Sequence, residues 1–441
     1  MIDSFPECLI NIPRTFIKRN NFLYFFSANF LLLSHFCINK PIFVIHFFAY
    51  DISFRMICDE FLIPCYNGYV REATMYRKTW MEVNLDAIYD NVRTIKEHCG
   101  KKFIAVLKAD AYGCGDYPVA KTCLEAGADM IAVSSLDEAL ILRNKGYEGD
   151  LFILGPVDPK DIPIASAYNI AVAAISAAWV NQVCRLHCKG LKVHLAYDTG
   201  MNRIGFKDLA TLHEAYDLLL QSGCSIEGIF THFCNTDKED RSYTDNQFAE
   251  FKKAVASLNH PFQWIHCDNS DATIFFEDEI SNACRVGISL YGISPYTDRL
   301  KPAISLFSEV SMSKSIQAGQ SVGYGWTYTA QKDEMIGTCP IGYADGFIRK
   351  NQGRYVYVDG MMCEVVGRVC MDQCMIRLDH DIVPGTPVEI FGPHISLETM
   401  AEELDTIPYE IICLISGRVT RRYMYHGKPV NEITPRLNES L

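Results

Sequence analysis

Apolar and polar positions change their rhythm twice along this chain. From Arg77 onward, short β-branched and aromatic runs alternate with stretches whose apolar positions recur every three to four residues, the signatures of buried strand and amphipathic helix. Residues 79–83 read as a strand, and 86–99 as a helix carrying Ile88, Val92 and Ile95 on one face. Strand runs follow at 103–107, 130–133, 151–154, 170–172, 192–197, 226–230, 263–267 and 283–286. Helical patterns separate most of them, most clearly at 119–126, 136–144, 209–220 and 248–258. Eight strands alternating with helices over roughly 190 residues predict a (β/α)8 TIM-type barrel; a doubly wound open sheet is the other α/β arrangement with this pattern.

The rhythm shifts near residue 300. Short alternating segments bounded by glycines occupy 308–315, 334–340, 354–358, 364–369, 375–378, 388–391, 411–415 and 419–425, with one helical pattern near 397–404. They predict a mostly β second domain. The expected division is an atypical extension over 1–74, an α/β barrel over 75–300 and a β domain over 301–441, with the strand at 79–83 free to join the latter. The first 74 residues are rich in Phe, Ile, Leu and Asn and lack clear periodicity. Uncharged residues 22–38, preceded by Arg14, Lys18 and Arg19, reach the lower limit of a membrane span. No small-residue cleavage site accompanies them. The preferred reading is an extension ahead of a start near Met75, with a membrane anchor or an ordered accessory segment as alternatives; membrane contact is expected only if this extension is real.

Composition narrows the function classes. The chain has 441 residues, 49% hydrophobic, 21% charged and formally −12, so nucleic acid is an unsuitable partner. A small anion held by a few local donors remains compatible. Its 18 cysteines contain no C-x-x-C pair, and Cys184/Cys188 and Cys370/Cys374 lack a matching second pair at zinc spacing, so no metal is expected. Free thiols in apolar runs fit a reducing cytoplasm.

Candidate chemistry gathers where the strands end, the side of a barrel on which ligands bind. Lys108 follows the first barrel strand in FIAVLKADAYGCG, and Gly113 and Gly115 allow the sharp turn beyond it. A partly desolvated lysine there is suited to a Schiff base, although a lysine at a strand end is equally readable as a surface charge. Asp198, Thr199, Gly200 and Arg203 follow the fifth strand, and Thr231 and His232 the sixth. Asn269 and Ser270 follow the seventh, while Arg285, Gly287 and Ile288 come at the eighth. Ser270 with the N–H groups of Gly287 and Ile288 would suit a phosphate, though Ser270 also reads as a helix cap and His232 as a satisfied imidazole. Their convergence on one rim points to a phosphorylated aldehyde held by a lysine.

The runs AVLKADAYGCG, DTGMNRIGF, GIFTHF, NSDAT, RVGISLYG, SVGYGWTYTA, PIGYADG, GRVCMDQ and YEIICLISGRV occur in this order between about Arg77 and Asn438. In them the chain resembles the alanine racemase family, enzymes that use pyridoxal 5'-phosphate on a barrel joined to a C-terminal β domain. The resemblance implies an isomerase that interconverts L- and D-alanine with two bases on opposite faces of the substrate carbon. Lys108 is then the cofactor-linked lysine and one base, and Tyr324 the other. Tyr112, Ser270, Gly287, Ile288 and Tyr409 would hold the phosphate, His232 would lie beside the ring, and Arg285 would face the pyridine nitrogen. Arg203 would serve cofactor and substrate, and Tyr343 and Met371 would shape the substrate pocket. Tyr324, Tyr343 and Met371 would come from the neighbouring subunit, so a homodimer with shared sites is implied, and D-alanine as a peptidoglycan precursor suits the family. Serine or mixed Ala/Ser racemisation is the alternative substrate reading, and a non-catalytic pyridoxal phosphate binder the alternative without catalysis. Two positions depart from the family pattern: Ala196 stands where a lysine is common, and Cys114 where a histidine is. With Ala196 there, a bound anion or Asn202 must orient Arg203.

Overall fold

The computed structural model describes residues 75–186, 189–236 and 240–438, together with the strand backbone at Lys18–Arg19, Phe22–Leu23, Leu32–Cys37 and Lys40–Ile45. Those early strands form two antiparallel ladders within a unit spanning Met1–Glu72, separate from the unit Ala73–Leu441. The three readings of the extension concern residues that otherwise lie outside the described ones. No helix among the described residues is long and apolar enough to cross a membrane.

The alternating half closes into a barrel. Its strands are β2 (Lys102–Val106), β3 (Met130–Val133), β4 (Leu151–Ile153), β5 (Ile170–Ala174), β6 (Lys192–Ala196), β7 (Ser225–Phe230), β8 (Trp264–His266) and β9 (Ala283–Val286); the strand before them, β1 (Thr79–Asn84), lies elsewhere. All seven ladders are parallel, in the order β8-β7-β6-β5-β4-β3-β2-β9. Between β8 and β9 the seam is bridged by the N–H of Asn282 on Ile265 O and that of Arg285 on Asp268 O, both at 3.0 Å. The runs read as strands because they are apolar on both faces, as parallel strands buried on both sides must be. Ile104, Val106, Met130, Ala132, Phe152, Ala173, Phe230 and Trp264 fill the interior, while Phe103, Ala105, Ile131 and Val133 pack outward against the helices. Helix α1 (Leu85–Cys99) is capped by the Asn84 side chain and ended by Gly100 in the left-handed region (φ 63°).

β1 joins the second domain. It is the fifth strand of a seven-stranded sheet ordered Met361–Glu364, Tyr355–Val358, Pro387–Phe391, Ile304–Glu309, β1, Thr420–Tyr425, Lys428–Ile433. A three-stranded sheet of Met312–Ile316, Glu334–Cys339 and Cys374–Leu378 adjoins it in sequence. The expected strand at 308–315 is two strands, because the chain leaves one sheet at Val310 and begins the other at Met312. The expected strand at 411–415 is instead part of a helix, Pro408–Leu414. Pro408 pre-sets the first turn, and the five consecutive apolar residues at 411–415 carry no period that separates strand from helix. The strand expected at 364–369 ends at Glu364.

Beyond β2 the backbone does something that no local sequence signal announces. Ala109, Asp110, Ala111 and Tyr112 all have φ between 53° and 58°, a left-handed helical turn built without glycine. At roughly 1–2 kcal/mol per residue this costs about 4–8 kcal/mol, which the surroundings must offset. Glu138 Oε1 accepts from Ala109 N–H at 2.8 Å, and Tyr291 Oη donates to Ala111 O at 2.6 Å. Asp110 O accepts from Gly115 N–H at 2.9 Å. From the second domain, Arg421 Nε donates to Gly113 O (2.7 Å) and Tyr423 Oη to Cys114 O (3.0 Å). Glycine is obligatory at 115: φ is +93°, and a Cβ there would stand 1.9 Å from Tyr423 Oη.

Candidate active site

A cavity of 480 Å³ opens at the C-terminal ends of the barrel strands. Its walls carry Lys108, Tyr112, Arg203, His232, Ser270, Arg285, Gly287 and Tyr409 together, although these come from both domains. The left-handed turn begins directly after Lys108, whose side chain lines this space, with Tyr112 at the far end of the turn. Partial burial, then the charge of Arg203, lower the pKa of Lys108 from the ordinary lysine value, and this favours a neutral amine.

Arg285 sits on β9 and is buried, 4% exposed. Its Nη1 donates to His266 Nδ1 (2.8 Å) and His266 O (2.6 Å); its Nη2 donates to Thr231 O (2.7 Å), Cys267 O (3.1 Å) and His232 Nδ1 (3.2 Å). No carboxylate of the described residues pairs with it. Burial lowers its pKa to about 10, still far above neutrality. A guanidinium only donates, so both contacted imidazole nitrogens are acceptors. His232 therefore carries its proton on Nε2. His266 likewise carries its own on Nε2 and donates to His194 Nδ1 at 2.9 Å, which leaves the proton of His194 on a buried Nε2 without a partner among the described residues. Burial and the adjacent Arg285 hold all three rings neutral: His232 and His194 are each lowered to about 3, and His266 well below its usual range. His194 and His266 were not among the candidates from sequence; only their spacing on β6 and β8, as polar residues inside apolar strands, carried a signal.

Ser270 is not the cap of its helix. Asn269 caps Ser270–Phe275 by accepting from Ala272 N–H, which leaves the Ser270 hydroxyl to accept from Gly287 N–H at 2.9 Å. Tyr112 is 4% exposed, with its ring edge-on to Tyr291 and tilted against Tyr409. Its hydroxyl lies so close to Gly287 that a Cβ there would stand 2.1 Å away, so the glycine opens the room in which hydroxyl and backbone meet. Ile288 is buried in the next turn and does not line the cavity. Cys114 is fully buried beneath the turn, and burial pushes its thiol well above the usual value, so it serves as packing.

Ala196 ends β6 in the cavity wall and Arg203 is exposed on the loop that follows. Asn202 does not orient it: its amide donates to Gly200 O (2.9 Å) and its oxygen accepts from Lys207 (2.6 Å). Asp198 accepts from the N–H groups of Gly200 and Asn202 and pairs with Lys207, so it shapes the loop. Tyr324, Tyr343 and Met371 are not brought to this cavity within the chain. They are 71%, 42% and 52% exposed on the second domain, where Tyr324 borders a different depression with Met312, Cys370 and Gln373.

Comparison with known proteins identifies the two domains. Residues 83–295 match the family model described as alanine racemase, N-terminal domain, and residues 303–423 the one described as alanine racemase, C-terminal domain. Alanine racemase 1 of Bacillus subtilis is 40% identical over 381 residues, covering 83% of this chain and 98% of its own. The crystal structure of alanine racemase from Bacillus anthracis with bound L-Ala-P superposes with TM-score 0.80 at 39% identity, covering 83% of this chain and 100% of that one. A histidine racemase from Leuconostoc mesenteroides subsp. sake shares the fold at TM-score 0.75 and 31% identity, covering 79% and 99%. With barrel, second domain and matched sequence running together from β1 to Tyr423, the chain belongs to the alanine racemase family.

Proposed function

We propose that the protein is a pyridoxal 5'-phosphate-dependent alanine racemase, interconverting L- and D-alanine. The observation that carries this reading is the charge balance of the cavity: Lys108, Arg203 and Arg285 face one space, and the Arg285 charge meets only carbonyls and neutral imidazoles. A site so constituted fits a ligand with a phosphate and an electron-rich ring nitrogen. Tyr112, Ser270, Gly287 and Tyr409 would hold the phosphate from the cavity wall and Ile288 through its backbone N–H, His232 would flank the ring, and Arg285 would face its nitrogen. When bound, the cofactor supplies a conjugated system that accepts the charge left as the α-proton departs.

The chain's own residues do the remainder. The lowered pKa of Lys108 makes its amine available both to bind the aldehyde and to take or return a proton at the substrate Cα. Arg285, a permanent donor, cannot receive a proton from the ring. Neutral His232 adds no second charge beside it. Arg203 would bind the substrate carboxylate. Tyr324 would act at the opposite face of Cα from a second copy of the chain, with Tyr343 and Met371 narrowing the entrance. The domain division follows: residues 75–300, with Tyr409 from the second domain, would bind cofactor, and residues 301–441 would also complete a neighbour's site. The cysteine usage supports a cytoplasmic location. The test is a chirality assay on the purified protein with L-alanine, with and without added pyridoxal phosphate; racemisation that is absent from Lys108→Ala is expected. Equal turnover without a cofactor in either preparation, or none in both, would sink the reading.

A further inference from the structure

The end of α1 and strand β9 meet through two thiols. Cys99, the last residue of the helix, has its Sγ 3.9 Å from that of Cys284, although they are 185 residues apart in sequence. Cys284 is fully buried and Cys99 half-buried, on the wall of a 540 Å³ surface hollow that it shares with Lys101, Asp268, Phe276 and Asp278. One thiol is thus within reach of a small solute and the other is shielded behind it. Two further features favour oxidation at Cys99. The hydrogen bond with Cys284 and then the neighbouring Lys101 lower its pKa, against the opposing effects of burial and of Asp268. Lys101 is itself fixed by Asp268 (2.8 Å) and Asp278 (3.1 Å), which keeps the cation in place. That same ammonium already occupies both carboxylates of the Cys267–Asp268–Asp278 cluster and so argues against a metal there.

We propose that Cys99 and Cys284 form a peroxide-sensitive dithiol whose disulfide lowers activity by displacing Arg285. In the first step the Cys99 thiolate attacks one oxygen of hydrogen peroxide. The O–O bond breaks, a sulfenic acid forms, and hydroxide leaves and is protonated to water. Cys284 sulfur then attacks Cys99 sulfur; the S–S bond forms, the S–O bond breaks, and a second water carries away the Cys284 proton. The two thiols lose two electrons and the peroxide gains them. Contraction from 3.9 Å to a bond of about 2.0 Å draws α1 and β9 together at the residue directly preceding Arg285. Arg285 holds Thr231, His232, His266 and Cys267 through five hydrogen bonds, so a shift of its backbone reaches the cavity wall.

The inference rests on the racemase reading for its activity component only. Holoenzyme is treated with graded hydrogen peroxide, quenched with an alkylating agent, digested without reductant and mapped by mass spectrometry, with racemisation followed in parallel. A peptide pair joined through Cys99 and Cys284 is expected, together with an activity loss of about tenfold that dithiothreitol reverses. Cys99→Ser should form no such pair and keep its activity under the same dose. Absence of the cross-link, an equal loss in Cys99→Ser, or a cross-linked enzyme of unchanged activity would each overturn the proposal. Because the cross-link is read by mass, an untreated enzyme that fails to racemise alanine would count against the functional reading alone.

Discussion

At the scale of single residues, the site is dominated by groups held away from their usual charge state. Lys108→Ala removes both the amine and its tether for the cofactor, and racemisation should fall by about 10³-fold or more. Borohydride treatment should then fix no chromophore to the variant. The buried histidines make a separate prediction about stability. His194 titrates at about 3 when folded and near 6.5 when unfolded, so unfolding takes up a proton in the range between. Stability from this group is complete above pH 6.5 and falls as pH drops toward 3, by about 1.4 kcal/mol per unit. His232 and His266 add losses of the same sign. Urea melts from pH 7 to 4.5 should therefore show a steep decline, less steep in His194→Asn by about one histidine's share; an unchanged slope would mean that this ring is not neutral in the fold. Much of this scale was legible in the sequence, because Lys108, Arg203, His232, Ser270 and Arg285 each lie at the C-terminal end of a strand run or on the loop that follows it. His194 and His266 were not, since inside a strand only the three-dimensional chain of hydrogen bonds to Arg285 gives them meaning.

Among elements, the left-handed turn at 109–112 positions Lys108 and Tyr112 on one wall, and its strain is met from outside. Nothing in Ala-Asp-Ala-Tyr predicts φ > 0; the two glycines beyond it mark a turn but not its hand. The conformation is a tertiary result, imposed by Glu138, Tyr291, Arg421 and Tyr423. The same cause explains the helix at Pro408–Leu414, which lies over the turn and approaches it closely: a Cβ on Gly113 would stand 2.9 Å from Ile412 O. Gly115→Ala should destabilise the protein by about 1–3 kcal/mol and weaken retention of the cofactor, from the combined cost of its φ and the contact with Tyr423. Tyr423→Phe removes the hydroxyl that the new methyl would meet, so Gly115→Ala/Tyr423→Phe should cost less than the two single changes added together. Strict additivity in thermal melts would show that the clash is relieved by other means.

For the whole molecule the decisive fact is a separation. Eight of the expected site residues line one cavity, whereas Tyr324, Tyr343 and Met371 stand exposed on the second domain. A tyrosine 71% exposed between two glycines at φ 72° is costly to keep ordered unless something covers it. The proposed reading supplies that cover from a second copy, each contributing Lys108 to one site and Tyr324 to the other. This predicts complementation. Lys108→Ala and Tyr324→Phe should each be nearly inactive as pure proteins. After subunits are exchanged at low concentration and reassembled, half of the dimers are mixed, and each mixed dimer holds one site in which the Tyr324→Phe chain supplies Lys108 and the Lys108→Ala chain supplies Tyr324. Racemisation should therefore rise to about a quarter of the wild-type rate, and should do so only after exchange. Were both residues drawn from one chain, every site in the mixture would carry a defect and no activity would return.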